Sequence, residues 1–135
     1  MEDTLVPGID LDSSLRAIEI AIDHRLWAAV GIHPSETSEW KSSSMDAIDE
    51  LVGHPRVVAI GETGLDFYRD HAPRELQQAN FAAHIELAKE HSKALIIHTR
   101  ESARAALDML EQHGPPDRVV FHCWSGDQDE LRGAL

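Results

Sequence analysis

Three short apolar runs, each ending in a residue that can bind a metal ion, organise the pattern of hydrophobic and polar positions. They occupy residues 56–62, 94–98 and 118–122, and they end in Glu62, His98 and His122. Within each run the apolar residues do not alternate with polar ones, which is typical of strands buried on both faces, as in a parallel sheet. Because the carboxyl ends of parallel strands meet at one edge of a sheet, the pattern predicts a common site there.

The rest of the chain follows the same alternation of short apolar runs and longer amphipathic segments. The pattern predicts strands that end near residue 9 and that span 26–32, 56–61, 93–98 and 118–122. It predicts helices over about 13–23, 44–52, 73–91 and 101–112, and a further helix that starts near residue 127. The predicted apolar face of the first helix is Leu15, Ile18 and Ile22, and that of the long third helix is Leu76, Ala79, Ala83 and Leu87.

This order of elements predicts an α/β fold with about five parallel strands and flanking helices, because short connections between alternating strands and helices favour right-handed crossovers. Two arrangements satisfy the pattern: an open, doubly wound sheet and part of a TIM-like (β/α) barrel. A complete barrel takes about 250 residues, and this chain has 135. The absence of a Gly-x-Gly-x-x-Gly or Walker-type loop counts against the nucleotide-binding open sheets.

Strand alternation predicts which side chains share a face with the metal-capable residues. The predicted groups are Val58 and Ile60 with Glu62, Ile96 with His98, and Val120 with His122. If the three runs are in register, one carboxylate and two imidazoles form a cluster. That donor set suits zinc, manganese or iron, and the carboxylate also suits magnesium. A divalent ion bound there can lower the pKa of water to about 7 and so support hydrolysis.

Each of the three residues also has a structural interpretation. A single histidine at a strand end is more often a hydrogen-bonded structural residue, and Glu62 alone could cap a loop. Their equivalent positions at three strand ends favour the metal site over three unrelated structural roles. Because side chains alternate, Cys123 is expected on the face opposite to His122, as a buried packing residue rather than a ligand.

Other polar residues near these strand ends have two interpretations each. His33 could line the site, or could fix the turn before Pro34. Arg100 could hold a phosphate or carboxylate, or could pair with a neighbouring acid. Asp66 could contact the substrate, or could order the loop that follows Glu62. The remaining histidines fall on predicted helices or loops and are expected at the surface: His24, His54, His71, His84, His91 and His113.

Composition limits how the chain could meet a polyanion. The net charge is −12, from 24 acidic and 12 basic residues, whereas proteins that grip nucleic acid through their own surface are normally basic. Bound cations would have to offset this repulsion. The single cysteine excludes an internal disulfide, no apolar run approaches the roughly 18 residues of a membrane span, and the N-terminus is acidic. These features predict a cytoplasmic protein without membrane association.

Four sequence strings resemble the TatD family of metal-dependent hydrolases. They are VGIHP at 30–34, AIGETGLD at 59–66, LIIHTRE at 95–101 and FHCWSG at 121–126. The resemblance implies a TIM-like barrel whose two-metal centre hydrolyses phosphodiester bonds in DNA, with divalent cations as cofactors. It implies that Glu62 is the carboxylate that can bridge both ions and that His98 and His122 complete the shell of one. Arg100 and Asp66 match motif positions, and we predict that they contact the substrate.

The sequence also departs from the family pattern. Family members begin with a strand ending in a His-x-His pair, and carry a metal-binding, potentially catalytic aspartate in a late Thr-Asp-x-Pro-like segment. Neither motif occurs here. We therefore expect residues 1–135 to form the central part of a barrel, and the chain alone to be inactive. Two alternatives stay open: a related amidohydrolase acting on small esters or amides, and a non-catalytic barrel fragment that associates through its exposed strand edges.

Overall fold

A single parallel sheet and the helices that connect its strands make up the described part of the chain. The structure, a computed structural model, describes residues 4–68 and 72–122. The elements are β1 (Leu5–Pro7), α1 (Leu11–His24), β2 (Trp27–Val30), α2 (Ser44–Val52), β3 (Val57–Asp66), α3 (Arg74–His91), β4 (Ala94–Arg100), α4 (Ala103–His113) and β5 (Val119–His122), with a 3-10 turn at Pro34–Glu36. The predicted helix near residue 127 and Cys123 lie outside the described residues.

The order of the strands decides between the two arrangements that the sequence left open. All neighbouring pairs are parallel, and the spatial order β1-β2-β3-β4-β5 equals the order along the chain. In a doubly wound sheet the strand order reverses at a switch point, and helices cover both faces. Here each helix packs on the strands beside it, and successive helices contact each other. This sequential order is the winding of a (β/α) barrel.

The hydrophobic core lies between the sheet and the helices. Its strand residues include Val30, Ile60, Leu95 and Ile97, and its helix residues include Ile48, Phe81, Ile85 and Ala106, all with no exposed surface. Burying a large apolar side chain contributes about 1.5–3 kcal/mol, so this layer supplies most of the stabilisation that holds the strand ends in place. None of the described helices has the length and apolar character needed to cross a lipid bilayer.

The opposite face of the sheet carries the predicted site. Leu95 and Ile97 face the helices, so alternation puts Ile96 and His98 on the other face. In β5 the residue that pairs with Ile96 is Val120, which is 54% exposed. The next pair along this face is His98 with His122, and position 122 therefore lies beside His98 at the carboxyl edge.

The predicted apolar face of α1 is wrong for two of its three residues. Ile18 is buried, but Leu15 and Ile22 are 45% and 52% exposed. The residues that face the sheet are mostly small: Ser14, Ala17, Ile18 and Ala21. Small side chains let the helix approach β2 closely enough for the Ser14 hydroxyl to accept a hydrogen bond from the Gly31 amide at 3.2 Å. The buried face of α1 is therefore set by the close approach of the helix to the sheet rather than by the spacing of its large apolar side chains.

The third helix, α3, also buries a face that the pattern did not predict. Of the four residues expected there, only Leu87 is buried, and Ala79 is exposed. The buried face is Gln77, Asn80, Phe81, His84, Ile85, Leu87 and Ala88. His84 was expected at the surface and has no exposed area. The error has a physical reason: three buried polar side chains break the hydrophobic period, and each hydrogen-bonds the backbone of a neighbouring segment.

Strand β3 is longer than predicted and its alternation is interrupted. Residues 64–66 were expected in a loop, but they continue the strand and pair with residues 98–100. The register also shifts twice, so that Val57 and Ile60 pair with Ala28 and Val30, which share a face. Ile60 therefore faces the helices, whereas Glu62 faces the site. The prediction that Val58, Ile60 and Glu62 share one face is wrong, because one extra residue, Val58, lies between the β3 partners of Ala28 and Ala29.

Candidate metal centre

Three side chains that can bind a metal ion meet at the carboxyl edge of the sheet. They are His33 after β2, Glu62 in β3 and His98 in β4, and one potential ligand atom from each lies within 4.8 Å of the others. This is the one such cluster of three or more ligand side chains among the described residues. It occupies the edge where the sequence predicted the site.

The turn that follows β2 holds the ring of His33. The Ser35 amide donates to His33 Nδ1 at 3.1 Å, and the Ser35 hydroxyl lies 2.8 Å from the same nitrogen. His33 thereby caps the 3-10 turn that starts at Pro34. Its other nitrogen, Nε2, lies 3.7 Å from Glu62 Oε1, and the rings of His33 and His98 are 4.4 Å apart. Both roles considered for His33, fixing the turn and lining the site, are therefore present.

Two buried side chains of α3 fix the backbone just before His33. His84 Nε2 accepts the Ile32 amide at 3.0 Å, and Asn80 Nδ2 donates to the Ile32 carbonyl at 2.8 Å. His84 Nδ1 in turn donates to the Asn80 carbonyl at 2.7 Å. Asn80 Nδ2 also reaches the hydroxyl of Thr63, the residue after Glu62, at 3.3 Å. Since one helix thus holds both segments, the positions of His33 and Glu62 are coupled.

The electrostatic state of His84 follows from its burial. Complete burial penalises the charged ring and lowers the pKa of His84 to about 4, although its hydrogen bond to the Asn80 carbonyl acts in the opposite direction. The ring is neutral near pH 7, with one nitrogen donating and the other accepting. His84 is therefore a satisfied structural histidine behind the site.

Two glycines let β3 lie against β4 where Glu62 approaches His98. Gly61 and Gly64 have φ of 142° and 139°, values that side-chain-bearing residues rarely adopt. A Cβ at Gly61 would lie 2.5 Å from the Ile96 carbonyl oxygen, and one at Gly64 would collide with the His98 carbonyl. With these two positions bare, Glu62 Oε1 comes within 3.4 Å of His98 Nδ1.

The two nitrogens of His98 have different surroundings. Nε2 lies 3.0 Å from Asp66 Oδ2 and donates to it. Nδ1 is buried and has no hydrogen-bond partner among the described residues, because Glu62 Oε1 is within ion-pair range but lacks hydrogen-bond geometry. Burial lowers the pKa of His98, but the two facing carboxylates, Glu62 within ion-pair range and Asp66 within hydrogen-bond distance, together outweigh burial and raise that pKa above its ordinary value.

This arrangement fits a cation. A buried imidazole nitrogen without a partner costs about 1–3 kcal/mol, and a metal ion that it shares with a carboxylate would relieve that cost. The donors are those that zinc, manganese and iron accept. Of the three predicted ligands, the structure brings Glu62 and His98 together. The side chain of His122 lies outside the described residues, and its role as a ligand stays a prediction.

The two predicted substrate contacts lie at the end of β3 and β4. Asp66 is 8% exposed, and both of its carboxylate oxygens accept hydrogen bonds, from His98 Nε2 and from the Tyr68 amide. Arg100 lies opposite Asp66 in the backbone register of β3 and β4, and its guanidinium carbon lies 4.0 Å from the centre of the Tyr68 ring. The predicted contacts of Asp66 and Arg100 with substrate stay predictions.

Sequence reasoning gave His33 less weight than its position warrants. The signal was present, because Gly31-Ile32-His33 directly follows β2, and Glu62 and His98 lie on the two following strands. The contact between Asp66 and His98 was missed for another reason. Residues 64–66 were predicted to form a loop, but they continue β3, and this places Asp66 alongside the end of β4, close to His98.

Comparison with known proteins decides the family. The model of the family described as TatD related DNase matches residues 1–135. The chain belongs to the TatD family. Among curated TatD proteins, it is 43% identical over 110 residues to an uncharacterized metal-dependent hydrolase TatD of Mycobacterium tuberculosis, covering 78% of this chain and 42% of that protein. It is 32% identical over 133 residues to the 3'-5' ssDNA/RNA exonuclease TatD of Escherichia coli K12, covering 97% and 51% respectively.

Solved TatD structures support the same fold. The E. coli K12 TatD homologue YJJV superposes with a TM-score of 0.89 at 27% identity, covering 97% of this chain and 52% of that one. A TatD family hydrolase from Entamoeba histolytica superposes with a TM-score of 0.82 at 25% identity, covering 95% and 46%. The chain spans about half the length of these relatives. The predicted α/β fold with five parallel strands, flanking helices and TIM-like winding is confirmed.

Proposed function

We propose that the carboxyl-edge site serves metal-dependent hydrolysis of phosphodiester bonds in DNA, within a two-metal centre of the TatD type. The observation that carries the proposal is the buried Nδ1 of His98, which lies 3.4 Å from Glu62 Oε1 and has no hydrogen-bond partner within residues 4–68 and 72–121. The E. coli relative, named as a single-stranded DNA and RNA exonuclease, supports nucleic acid as the substrate class.

Glu62, His98 and His122 are the residues we propose to hold the metal. Divalent cations at such a centre would supply Lewis acidity, activation of water, and positive charge that offsets a net protein charge of −12. The chain's own residues would do the rest. Glu62 would contribute the carboxylate, His33 would line the pocket beside it, and Arg100 would contact a phosphate oxygen from the end of β4.

The chain carries part of the ligand set that the family resemblance implies. The sequence has no His-x-His pair and no Thr-Asp-x-Pro-like segment, and we propose that turnover requires a protein that supplies these groups. For the chain alone we expect metal binding without hydrolysis. The two properties are therefore tested separately.

The first test is metal binding by this chain, measured by calorimetric titration with Mn²⁺ and Zn²⁺. We expect one ion per chain in the wild type, and a loss of affinity of at least about 100-fold in Glu62→Ala. Glu19→Ala is the matched control, because it removes the same charge from an exposed helical position, where Glu19 pairs with Arg16 at 3.7 Å. Equal affinities in all three proteins would contradict the site.

The second test is hydrolysis by a protein in which this chain is part of a complete barrel. Labelled single-stranded DNA, duplex DNA and RNA are compared with small esters and amides, with and without metal. We expect metal-dependent cleavage of DNA that Glu62→Ala abolishes. Activity on small esters or amides alone would instead support the amidohydrolase alternative, and full nuclease activity in Glu62→Ala would refute the assignment of Glu62.

A further inference from the structure

Asp66 lies directly behind His98, where it can control which nitrogen of that ring carries a proton. Its Oδ2 lies 3.0 Å from His98 Nε2, and an ionised carboxylate can only accept a hydrogen bond, so Nε2 has to be the donor in this contact. A neutral imidazole has one N–H and one lone pair. A carboxylate that engages Nε2 therefore leaves the lone pair on Nδ1, the nitrogen that faces Glu62 and that has no hydrogen-bond partner in the described part of the chain.

The Asp66 carboxylate is itself held in place from two sides. Its Oδ1 accepts the Tyr68 amide at 3.1 Å, and its own backbone amide donates to Gln77 Oε1 at 2.8 Å. Gln77 is 2% exposed on α3, and its Nε2 donates to the Ala72 carbonyl at 3.0 Å. Since both carboxylate oxygens are engaged and the backbone is fixed, Asp66 has little freedom to turn towards the site.

We propose that Asp66 is a positioning residue that holds His98 in the Nε2–H tautomer and thereby presents the Nδ1 lone pair for metal binding. The part of this inference that concerns metal binding rests on the proposed function. The part that concerns the tautomer does not, because the tautomer exists without metal. A carboxylate that accepts the outer N–H of a metal-binding histidine raises the basicity of the ligand nitrogen and fixes the ring orientation. Asp66 thus acts through His98 and does not touch the ion.

The chain contains a matched control for this contact. His91 Nε2 lies 2.6 Å from Asp49 Oδ1 in a second carboxylate–histidine pair, which is partly exposed and outside the site. Replacing either aspartate by asparagine keeps the side-chain shape and removes the charge. Asp66→Asn and Asp49→Asn therefore make the same chemical change, one behind the proposed ligand and one at the surface.

The test has two readouts. Nitrogen-15 NMR of the imidazole rings in the metal-free chain, at a pH where His98 is neutral, reports the tautomer. We expect the Nε2–H form in the wild type and in Asp49→Asn. In Asp66→Asn we expect a shift towards Nδ1–H, because the amide can present an N–H to Nε2. The affinity for Mn²⁺ or Zn²⁺ should fall about 10- to 100-fold in Asp66→Asn and remain unchanged in Asp49→Asn.

The outcomes separate this proposal from the proposed function. A wild-type His98 in the Nδ1–H form overturns the role of Asp66 even if Asp66→Asn does not fold, since that spectrum requires no variant. Metal binding that Asp66→Asn leaves intact also overturns it, while the metal site stands. A chain that binds no metal but shows the Nε2–H tautomer, lost in Asp66→Asn, refutes the metal site and supports Asp66 as the residue that sets the ring.

Discussion

Two buried histidines, His84 behind the sheet edge and His98 at it, differ in how their ring nitrogens are hydrogen-bonded. His84 has both ring nitrogens hydrogen-bonded, to the Ile32 amide and the Asn80 carbonyl. His98 has one nitrogen hydrogen-bonded to Asp66, and the other faces Glu62 without a hydrogen-bond partner among the residues that the structure describes. Both rings are almost fully buried. Burial alone therefore does not distinguish the two rings, and the unsatisfied nitrogen of His98 is the feature that supports its proposed role as a metal ligand.

The surroundings also shift the two rings in opposite directions. Burial without a facing acid lowers the pKa of His84 to about 4, while Glu62 and Asp66 overcome burial and raise the pKa of His98 above 6.5. The apolar layer under α3 thus keeps its histidine neutral, and the carboxyl edge favours positive charge. The same electrostatics that favour a proton at His98 favour a metal cation.

The largest effect is expected on the free energy of unfolding when His84 is replaced. His84→Ala removes a fully buried side chain and leaves the Ile32 amide without its partner, and we expect the free energy of unfolding to fall by about 3–5 kcal/mol. Denaturant unfolding measures this loss. A loss below about 1 kcal/mol would mean that the Ile32 backbone finds another partner and that His84 does not hold it.

The next largest effect is expected in the pH dependence of stability, to which the buried ring of His84 contributes. Its pKa is about 4 in the folded chain, against the ordinary histidine value of 6.5, so the unfolded chain binds the extra proton between these values. The contribution of His84 is complete above pH 6.5 and decreases as the pH falls towards 4, by up to about 3 kcal/mol. His84→Gln should remove this slope in denaturation measured from pH 7 to pH 4, and an unchanged slope would contradict the assignment.

At the candidate metal centre we expect the main effect of a histidine substitution on metal affinity rather than on stability. His98→Ala removes a proposed ligand, and we expect the affinity for Mn²⁺ or Zn²⁺ to fall at least about 100-fold, because Glu62 loses its partner in coordination. The free energy of unfolding should change less than in His84→Ala, since the variant also removes an unpartnered buried nitrogen. Calorimetric titration and denaturant unfolding of the same sample test both parts. A variant that loses stability but retains metal affinity would make His98 structural.

The smallest effect is expected at a histidine outside both regions. His91 pairs with Asp49 at 2.6 Å, but both side chains are partly exposed, at 27% and 47%. Exposed ion pairs contribute about 0–1 kcal/mol, so Asp49→Ala should cost less than about 1 kcal/mol and leave metal affinity unchanged. Denaturant unfolding and metal titration check this. A larger effect on either quantity would mean that α3 couples the Asp49–His91 pair to the two buried histidines.

The fold and the location of the site could be predicted from the sequence because both depend on unmistakable local signals. Non-alternating apolar runs predicted the strands, and their polar ends predicted the edge where Glu62 and His98 meet. The order of the strands in the sheet could not be predicted from the hydrophobic pattern, because the same sequence of elements also suits a doubly wound sheet. It is seen only in the three-dimensional structure. The bulge that turns Ile60 towards the helices could not be predicted, since it depends on backbone register rather than on residue type.

The polar support of the site was the hardest part to predict. Asn80, His84 and Gln77 occur in a helix whose apolar period suggests a different face, and their partners are backbone groups far along the chain. A side chain that hydrogen-bonds a distant backbone leaves no periodic signal in the sequence. Those contacts are found only when the strands and α3 are seen packed together.

The most direct test of the central claim is the position of a bound ion in crystals of this chain grown with Mn²⁺ and measured at a wavelength where manganese scatters anomalously. If Glu62 and His98 bind the ion, an anomalous peak is expected at a coordination distance of roughly 2.0–2.3 Å from both Glu62 Oε1 and His98 Nδ1. A peak bound only by other acidic side chains, with the Nδ1 of His98 still unpartnered, would contradict it.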